Sequence, residues 1–561
     1  MRMEIVWVIL ALMLLLCLKG MYDKKKNFDR LVVRLQKSWG VIPEEEYTEV
    51  KFHSLQYYYN HKFAEKKEDR FFLDDITWND LNMDELFFML NSAGSAMGEE
   101  VLWALLHELK FEEAPLKERE KVIQFFQKNE EARLKLATAF ALIGKNKKVS
   151  IYEYMDQIDQ VRQESNLMHY IGIAGILCSI VLLIFNIGEA GLLLVGFILF
   201  NLLTYYRRKG EIEIYYAAIS YLIRMLKHAE NLAKEDILEL ENYYAELRTC
   251  TAELKAFRKG APAVAPQNPT GDMLSFFLDY LRILFHTDLI RFNRMMTQYF
   301  AKKDVLVKVF ETIGFLDAMC AVASFRTSLG SYCQPEFTEE TGYHAVTMYH
   351  PFLQKPVPAT IQTKRSVLIT GSNASGKSTF IKAAAMNAIM AQTIHTVCAE
   401  SYQASFFKVM TSMALTDNLF GNESYYIVEI KSLKRILDAT GGDVPVLCFV
   451  DEVLRGTNTV ERIAASSRIL HSIANTNALM FAATHDIELT YMLEECFENY
   501  HFEEKILEDN ILFDYQLKNG RATSQNAIAL LGLLGYPEEV TAKAGQTAAR
   551  FLETGEWETI K

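Results

Sequence analysis

The sequence predicts an α/β P-loop NTPase domain at its C-terminal end, attached to an all-α region that a transmembrane helical hairpin interrupts. Three observations predict this. A glycine-rich segment, Leu368–Thr379 (LITGSNASGKST), follows an apolar run and precedes an alanine-rich one. A second apolar run, Val444–Val450, ends in Asp451–Glu452. Two long apolar runs, Tyr170–Ile187 and Ala190–Tyr206, are separated by only a short turn. At 561 residues the chain exceeds a usual single domain. Its eight cysteines are scattered with no C-x-x-C pair, which fits a reducing compartment and neither a disulfide framework nor a zinc site.

The glycine-rich segment fits the pattern G-x-x-x-x-G-K-[ST] from Gly371 through Gly376, Lys377 and Ser378. Val367–Ile369 reads as the strand entering the loop, and Phe380–Met390 as the helix leaving it. Glycines allow the backbone to curl until successive N–H groups point at phosphate oxygens. Gly371, Ser372, Asn373, Gly376 and Thr379 are therefore the candidate phosphate cradle. Lys377 is placed to reach the β- and γ-phosphates, and the Ser378 hydroxyl to hold Mg²⁺.

Val444–Val450 has the composition of a strand buried on both faces of a parallel sheet. A carboxylate at its C-terminal end suits a magnesium-associated group, which nominates Asp451. Glu452 is then placed to orient the attacking water or to accept its proton. Leu479–Leu489 contains a further buried-strand run that ends at Thr484–His485. Following the two earlier strands in this order, the segment resembles that of ABC-type ATPases, in which a histidine here contacts the γ-phosphate. That resemblance nominates His485.

Taken together, TGSNASGKSTFIKAAAMNAIMAQ, then Asp451–Thr459 (DEVLRGTNT), then Phe481–Leu489 (FAATHDIEL) resemble the ATPase domain of the MutS family of DNA mismatch-repair proteins. The likeness extends upstream to Tyr349-His350-Pro351 and downstream to Tyr515–Gln525 and Gly535–Val540. It implies ATP and Mg²⁺ as cofactors, and a homodimer whose two nucleotide sites are each completed by the opposite subunit. Asp417–Glu429 (DNLFGNESYYIVE) looks like the family's serine-containing signature segment. Ser424 then aligns with the serine offered to the partner's γ-phosphate, and Glu429 with the glutamate that follows it. Here the family's small-residue loop is replaced by Asn422 and Glu423, and an acid beside a phosphate contact weakens anion binding unless it points away. Pro537–Glu553 reads as a helix with proline at its start, in a region the family uses for dimer contacts.

The N-terminal half is similar to the family's lever region more thinly, through Asp84–Leu105 and its Leu90-Asn91…Gly98 pattern. Glu118–Leu142 reads as one charged amphipathic helix. Lever-like helices resume over Gly210–Lys259 and Met273–Gly330, with the proline-rich Ala261–Thr270 between them as a linker. The expected organisation is an N-terminal anchor (1–22), a juxtamembrane linker (23–69), lever-like parts at 70–165 and 210–335, the hairpin at 166–209, and the ATPase domain at 336–561. Neither a mismatch-reading nor a connector domain is expected, and no endonuclease-like domain is expected after the ATPase. The Phe111-Glu112-Glu113 string lies inside the lever region and is not expected to read mismatches.

The two central apolar runs hold about 17 or 18 residues each, or ~25–27 Å of helix, workable for a hairpin in a ~30 Å hydrocarbon core. Tyr170, Tyr205 and Tyr206 sit where interfacial aromatics belong. Lys145, Lys147 and Lys148 precede the pair, Arg207, Arg208 and Lys209 follow it, and the turn has no basic residue. Ile5–Leu18 is a third candidate span, followed by Lys19 and Lys24–Lys26. All three agree on a multi-pass cell-membrane protein with its lever and ATPase regions in the cytosol. A pair of buried helices in a soluble α-domain is the alternative for the hairpin.

The net charge of −12 does not advertise a nucleic-acid surface, and the basic clusters flank the apolar segments, where anionic lipid accounts for them as well as DNA does. Two functions are expected to compete. One is a membrane-anchored MutS-like ATPase acting on DNA, branched or distorted rather than mismatched. The other is an ATP-driven membrane-associated switch or scaffold that couples to a protein or lipid partner without DNA. An ABC exporter is a weaker third, since no LSGGQ-like signature occurs.

Overall fold

The computed structural model describes residues 2–44, 47–64, 70–145, 149–185, 187–235, 237–259, 280–372, 375–413, 425–455, 457–507, 510–522, 528, 531–532 and 535–560. Asn373, Ser424, Lys147, Lys148 and the proline-rich linker lie outside them. The chain divides into two compact units, one of residues 1–66, 90–104 and 121–327, the other of residues 67–89, 105–120 and 328–561.

The first unit is helical. Its N-terminal helix, Arg2–Ser38, runs without a break through the apolar Ile5–Leu18 stretch and the lysines after it. The expected single helix over Glu118–Leu142 is instead two, Glu113–Lys128 and Glu130–Ile143. Asn129 breaks them: its backbone leaves the helical region, and its side-chain amide donates to the Phe125 carbonyl at 3.1 Å. This is the local competition with backbone bonding that disfavours asparagine in helix interiors.

The Leu90-Asn91…Gly98 pattern has a packing cause. Asp317, buried in the long helix Thr287–Ser328, accepts from the amides of Gly94 (3.0 Å) and Ser95 (2.8 Å) and from the Ser95 hydroxyl (2.6 Å). It thus caps the helix Ala96–His107 from outside, and a β-carbon at Gly98 would fall 2.3 Å from its Oδ2. Burial pushes this carboxyl up to about 6 against the pull of those donors.

Two helices, Leu167–Ile184 and Ala190–Ile212, are long and apolar enough to cross a membrane. They pack on each other, with Gly172 against Asn201 and Gly175 against Phe197. Only 22% and 17% of their apolar windows are buried, whereas a core helix of a soluble protein is mostly buried. Leu192, Leu203, Ile184 and Phe185 are all more than two-thirds exposed.

The second unit is an α/β structure. Its six-stranded sheet runs Lys518–Asn519, Phe497–His501, Ser366–Thr370, Ala478–Ala483, Val446–Asp451, Lys408–Ser412, parallel throughout except the first pair. The strands Ser366–Thr370, Val446–Asp451 and Ala478–Ala483 are buried on both faces, as their apolar runs require. A four-stranded sheet of Glu336–Phe337, Ser401–Ala404, Tyr343–Met348 and Ala359–Thr363 adjoins it in sequence.

The boundary expected between lever and ATPase shifts, because two segments placed in the lever, 70–89 and 105–120, belong to the second unit. The short helix Asp75–Asp80 seals the edge strand Lys408–Ser412: Asp80 Oδ2 accepts from the Thr411 hydroxyl (2.6 Å) and the Met413 amide (2.9 Å). Asp74 pairs with Arg435. Arg119 donates to the Thr393 carbonyl, and Glu120 holds His395 at 3.1 Å, so both residues close the C-terminal end of the helix Lys377–Ile394. A cation at that end also complements the helix dipole.

Candidate functional site

The strand Ala478–Ala483 lies between Ser366–Thr370 and Val446–Asp451, with Ala483 in register with both Ile369 and Asp451. Three strand ends therefore open at one level. The Thr484 amide donates to the Ile369 carbonyl (3.0 Å) and the Glu452 amide to the Ala483 carbonyl (2.9 Å). The P-loop, Glu452 and His485 emerge side by side in the crevice beyond the carboxyl ends of a parallel sheet, the position where such sheets bind ligands.

The loop has the conformation its glycines allow. Gly371 and Gly376 have φ of 149° and 109°, and a β-carbon at Gly371 would meet the Phe502 carbonyl at 2.8 Å. Lys377 opens the helix and is buried; its Nζ donates to the carbonyls of Gly371 and Ser372, each at 2.8 Å. Burial lowers its affinity for a proton, opposed by the nearby charges of Asp451 and Glu452. Ser375, Gly376, Lys377, Ser378, Thr379, Glu452, Arg455, His485 and Tyr515 enclose a polar cavity of about 480 Å³. Ser372 serves it from outside, through the carbonyl that holds Lys377.

Glu452 has φ of 58°, an uncommon conformation for a residue with a β-carbon, and Leu454 has φ of 59°. Such residues cost of order 1–3 kcal/mol each and persist only when neighbours enforce them. Two contacts hold the carboxylate: His485 Nε2 at 2.8 Å and the Arg455 guanidinium. Burial raises its pKa, but the hydrogen bond and charge of His485, with Arg455 and Lys377, outweigh this and leave it below the usual glutamate range. It therefore stays ionised. His485 is in turn steadied from the next residue, since Asp486 takes two hydrogen bonds from Arg462 at 2.6 and 3.1 Å.

The contact that sequence reasoning missed is Glu429. Buried on the helix Tyr425–Ala439, it accepts from the Leu454 amide and holds the turn that presents Glu452. Burial raises its pKa, while the Leu454 and Arg455 amides work against that rise. Its place in the signature-like segment was visible, but not its job, because Leu454 lies 25 residues away. Replacing Glu429 by alanine is expected to lower kcat by about 10–100-fold, since misplacement of a reacting group by about 1 Å costs that much. Nucleotide affinity should hold. Steady-state turnover with equilibrium ATP titration checks this, and an unchanged kcat refutes the positioning role.

Asp451 ends its strand with Oδ1 buried and without a hydrogen-bond partner among the described residues. Asp451 is not among the residues lining the cavity, which Ser378 is, but its charge acts on Lys377; a carboxylate and a hydroxyl are oxygen donors of the kind that suit Mg²⁺.

A second, largely apolar cavity of about 350 Å³ shares Gly376, Thr379 and Tyr515 with the first. Tyr349, His350, Val357, Phe380 and Phe502 are among its walls. Burial, with a contribution from Lys382, lowers the His350 pKa to about 4, so the ring is neutral. Its Nδ1 accepts from the Phe352 amide at 3.3 Å, which puts the proton on Nε2. A largely apolar cavity with aromatic walls, a few polar groups and a glycine-rich loop beside it has the chemistry to take a nucleobase. The Tyr349-His350-Pro351 string was legible as part of a resemblance only; nothing in its own chemistry pointed to this pocket.

Comparison with known proteins agrees with the geometry. Residues 367–552 match the family model described as MutS domain V. The chain is 30% identical over 269 residues to the DNA mismatch repair protein MutS of Natronomonas pharaonis, covering 46% of this chain and 31% of that protein. It is 31% identical over 265 residues to MutS protein homolog 4 of Mus musculus (44% and 27%), and 26% identical over 360 residues to the MutS of Fusobacterium nucleatum (62% and 38%). The chain thus spans only about a third of the length of these relatives. Its C-terminal region is similar to their P-loop ATPase-type domain.

Proposed function

We propose that this chain is a membrane-anchored MutS-like ATPase that binds and hydrolyses ATP as a homodimer and acts on DNA of branched or distorted form. The observation that carries the reading is the single cavity into which Lys377, Ser378, Glu452 and His485 converge, beside an apolar slot of nucleobase size. The slot takes the base, and the amides of the loop with Lys377 take the phosphates. Ser378 and Asp451 would hold Mg²⁺, which would supply neutralisation of phosphate charge.

Glu452 orients a water whose oxygen attacks the γ-phosphorus as the bond to the bridging oxygen breaks, releasing ADP and phosphate. Because it is held ionised, Glu452 is an aligning group first and a proton acceptor second. His485 fixes it and faces the same cavity. Contact by Ser424 with the nucleotide of a partner subunit rests on the family resemblance.

DNA enters from the names of two of the relatives, each a DNA mismatch repair protein, and the membrane from the length, composition and exposure of the two apolar helices with their basic flanks. The same exposed helices favour a second reading, an ATP-driven switch acting on a protein or lipid partner. The two separate in one assay: ATP turnover by the full chain in lipid, alone and with linear, mismatched and four-way DNA, at low and raised salt. The first reading expects four-way DNA to raise the rate and salt to suppress the rise steeply, because phosphate contacts release counterions. No response to any DNA form refutes it and leaves the second.

A further inference from the structure

We propose that the foot of the apolar helix pair holds a seat for the phosphate of an acidic glycerophospholipid; this rests on the membrane reading above. A cavity of about 450 Å³ opens there, between the loop entering Leu167–Ile184 and the last turns of Ala190–Ile212. On the second helix Phe200, Thr204, Arg208 and Glu211 follow one another at spacings of four, four and three, so they form one stripe. The stripe passes from apolar to cationic over about 12 Å of helix. That is enough to reach from the edge of the hydrocarbon through an interfacial layer ~5–7 Å thick.

The cationic end has a built floor. Arg208 is more than nine-tenths buried, donates to Glu211 (2.7 Å) and to the Arg162 carbonyl (3.0 Å), and has Glu164 at 3.4 Å. Its Nε is the atom that faces the Glu164 carboxylate, as an ion pair without a hydrogen bond among the described residues.

Above this floor stand two open arms. Arg207 is 86% exposed, with Glu211 no nearer than 3.9 Å, and the exposed Arg162 guanidinium has no ion pair described. Three guanidinium groups thus face two carboxylates across the cavity, which leaves an excess of positive charge. The first turn of Leu167–Ile184 adds to it, although the Ser165 hydroxyl accepts from the Leu167 amide at 3.2 Å. Met168 and Phe200, 64% and 40% exposed, line the same cavity. They are what distinguishes a lipid seat from a site for free phosphate, since a soluble anion gains nothing from them.

The test uses the full chain with Arg162→Gln and Arg207→Gln combined; both residues are exposed, so the fold is spared. Protein is incorporated into vesicles of phosphatidylcholine alone, or of phosphatidylcholine with phosphatidylglycerol, then released into detergent for native mass spectrometry of retained lipid. Wild type is expected to retain phosphatidylglycerol preferentially, and the double variant to lose that preference by on the order of tenfold, as two surface cations imply. Equal retention of the two lipids by wild type, or an unchanged preference in the variant, overturns the seat. Displacement of phosphatidylglycerol by millimolar inorganic phosphate also overturns it, in favour of a free-anion site. Failure of wild type to enter pure phosphatidylcholine vesicles sinks the membrane reading itself, and is seen before any headgroup is compared.

Discussion

Replacing Lys377 by alanine should weaken ATP binding by about 100-fold and abolish turnover. The side chain is buried, sits at the start of its helix and is already aimed at the loop, where two carbonyls at 2.8 Å hold its ammonium. Phosphate oxygens exchange those neutral acceptors for charged ones, and hydrogen bonds to charged groups contribute about 1.5–3 kcal/mol each. Alanine removes these bonds and leaves a cavity whose remaining side chains include Glu452, a carboxylate that repels the nucleotide. Equilibrium binding of a fluorescent ATP analogue measures the loss. The fold is spared, because the helix Lys377–Ile394 is held by its alanine-rich buried faces and by Arg119, Glu120 and Gln392 at its far end. Binding within threefold of wild type would refute the assignment of this loop as the phosphate cradle.

Replacing Glu452 by glutamine should behave in the opposite way: ATP binds, hydrolysis falls by about 10²–10⁴-fold, and the ATP-bound dimer accumulates. Glutamine keeps an oxygen that can accept from His485, so the turn at Glu452–Leu454, braced by Glu429 and the Ala483 carbonyl, keeps its shape. What disappears is the negative charge that aligns and polarises water. Size-exclusion chromatography with light scattering, in ATP and in ADP, reads the dimer. Single-turnover hydrolysis reads the chemistry. A glutamine variant that hydrolyses ATP at the normal rate would move the role of base elsewhere.

These two outcomes bear on the lipid seat only indirectly. The seat lies in the helical unit and the nucleotide site in the α/β unit. Loss of turnover in the Lys377 and Glu452 variants should leave phosphatidylglycerol retention unchanged, and loss of retention in the arginine variant does not touch the nucleotide cavity.

Most of what depends on residues adjacent in the chain was legible from the sequence alone, the helix break at Asn129 excepted. The P-loop is eight consecutive positions, and its conformation follows from glycines where φ is positive and a lysine at the helix start. Asp451–Glu452 and Thr484–His485 were readable because each follows a continuous apolar run that can only be a doubly buried strand. The apolar helix pair was legible for the same reason, as length and composition are local properties.

Tertiary structure alone decided what depends on separated residues meeting. It assigned 67–89 and 105–120 to the α/β unit through Asp80 on Thr411 and Glu120 on His395, pairs 331 and 275 positions apart. It gave Glu429 a task 25 residues away, formed an apolar slot from Tyr349, Phe380 and Phe502, and put Arg208 beside a cavity lined by Arg162. The physical reason is common to all of these. A buried polar group must find its partner wherever packing delivers one, and spacing along the chain carries no record of that delivery.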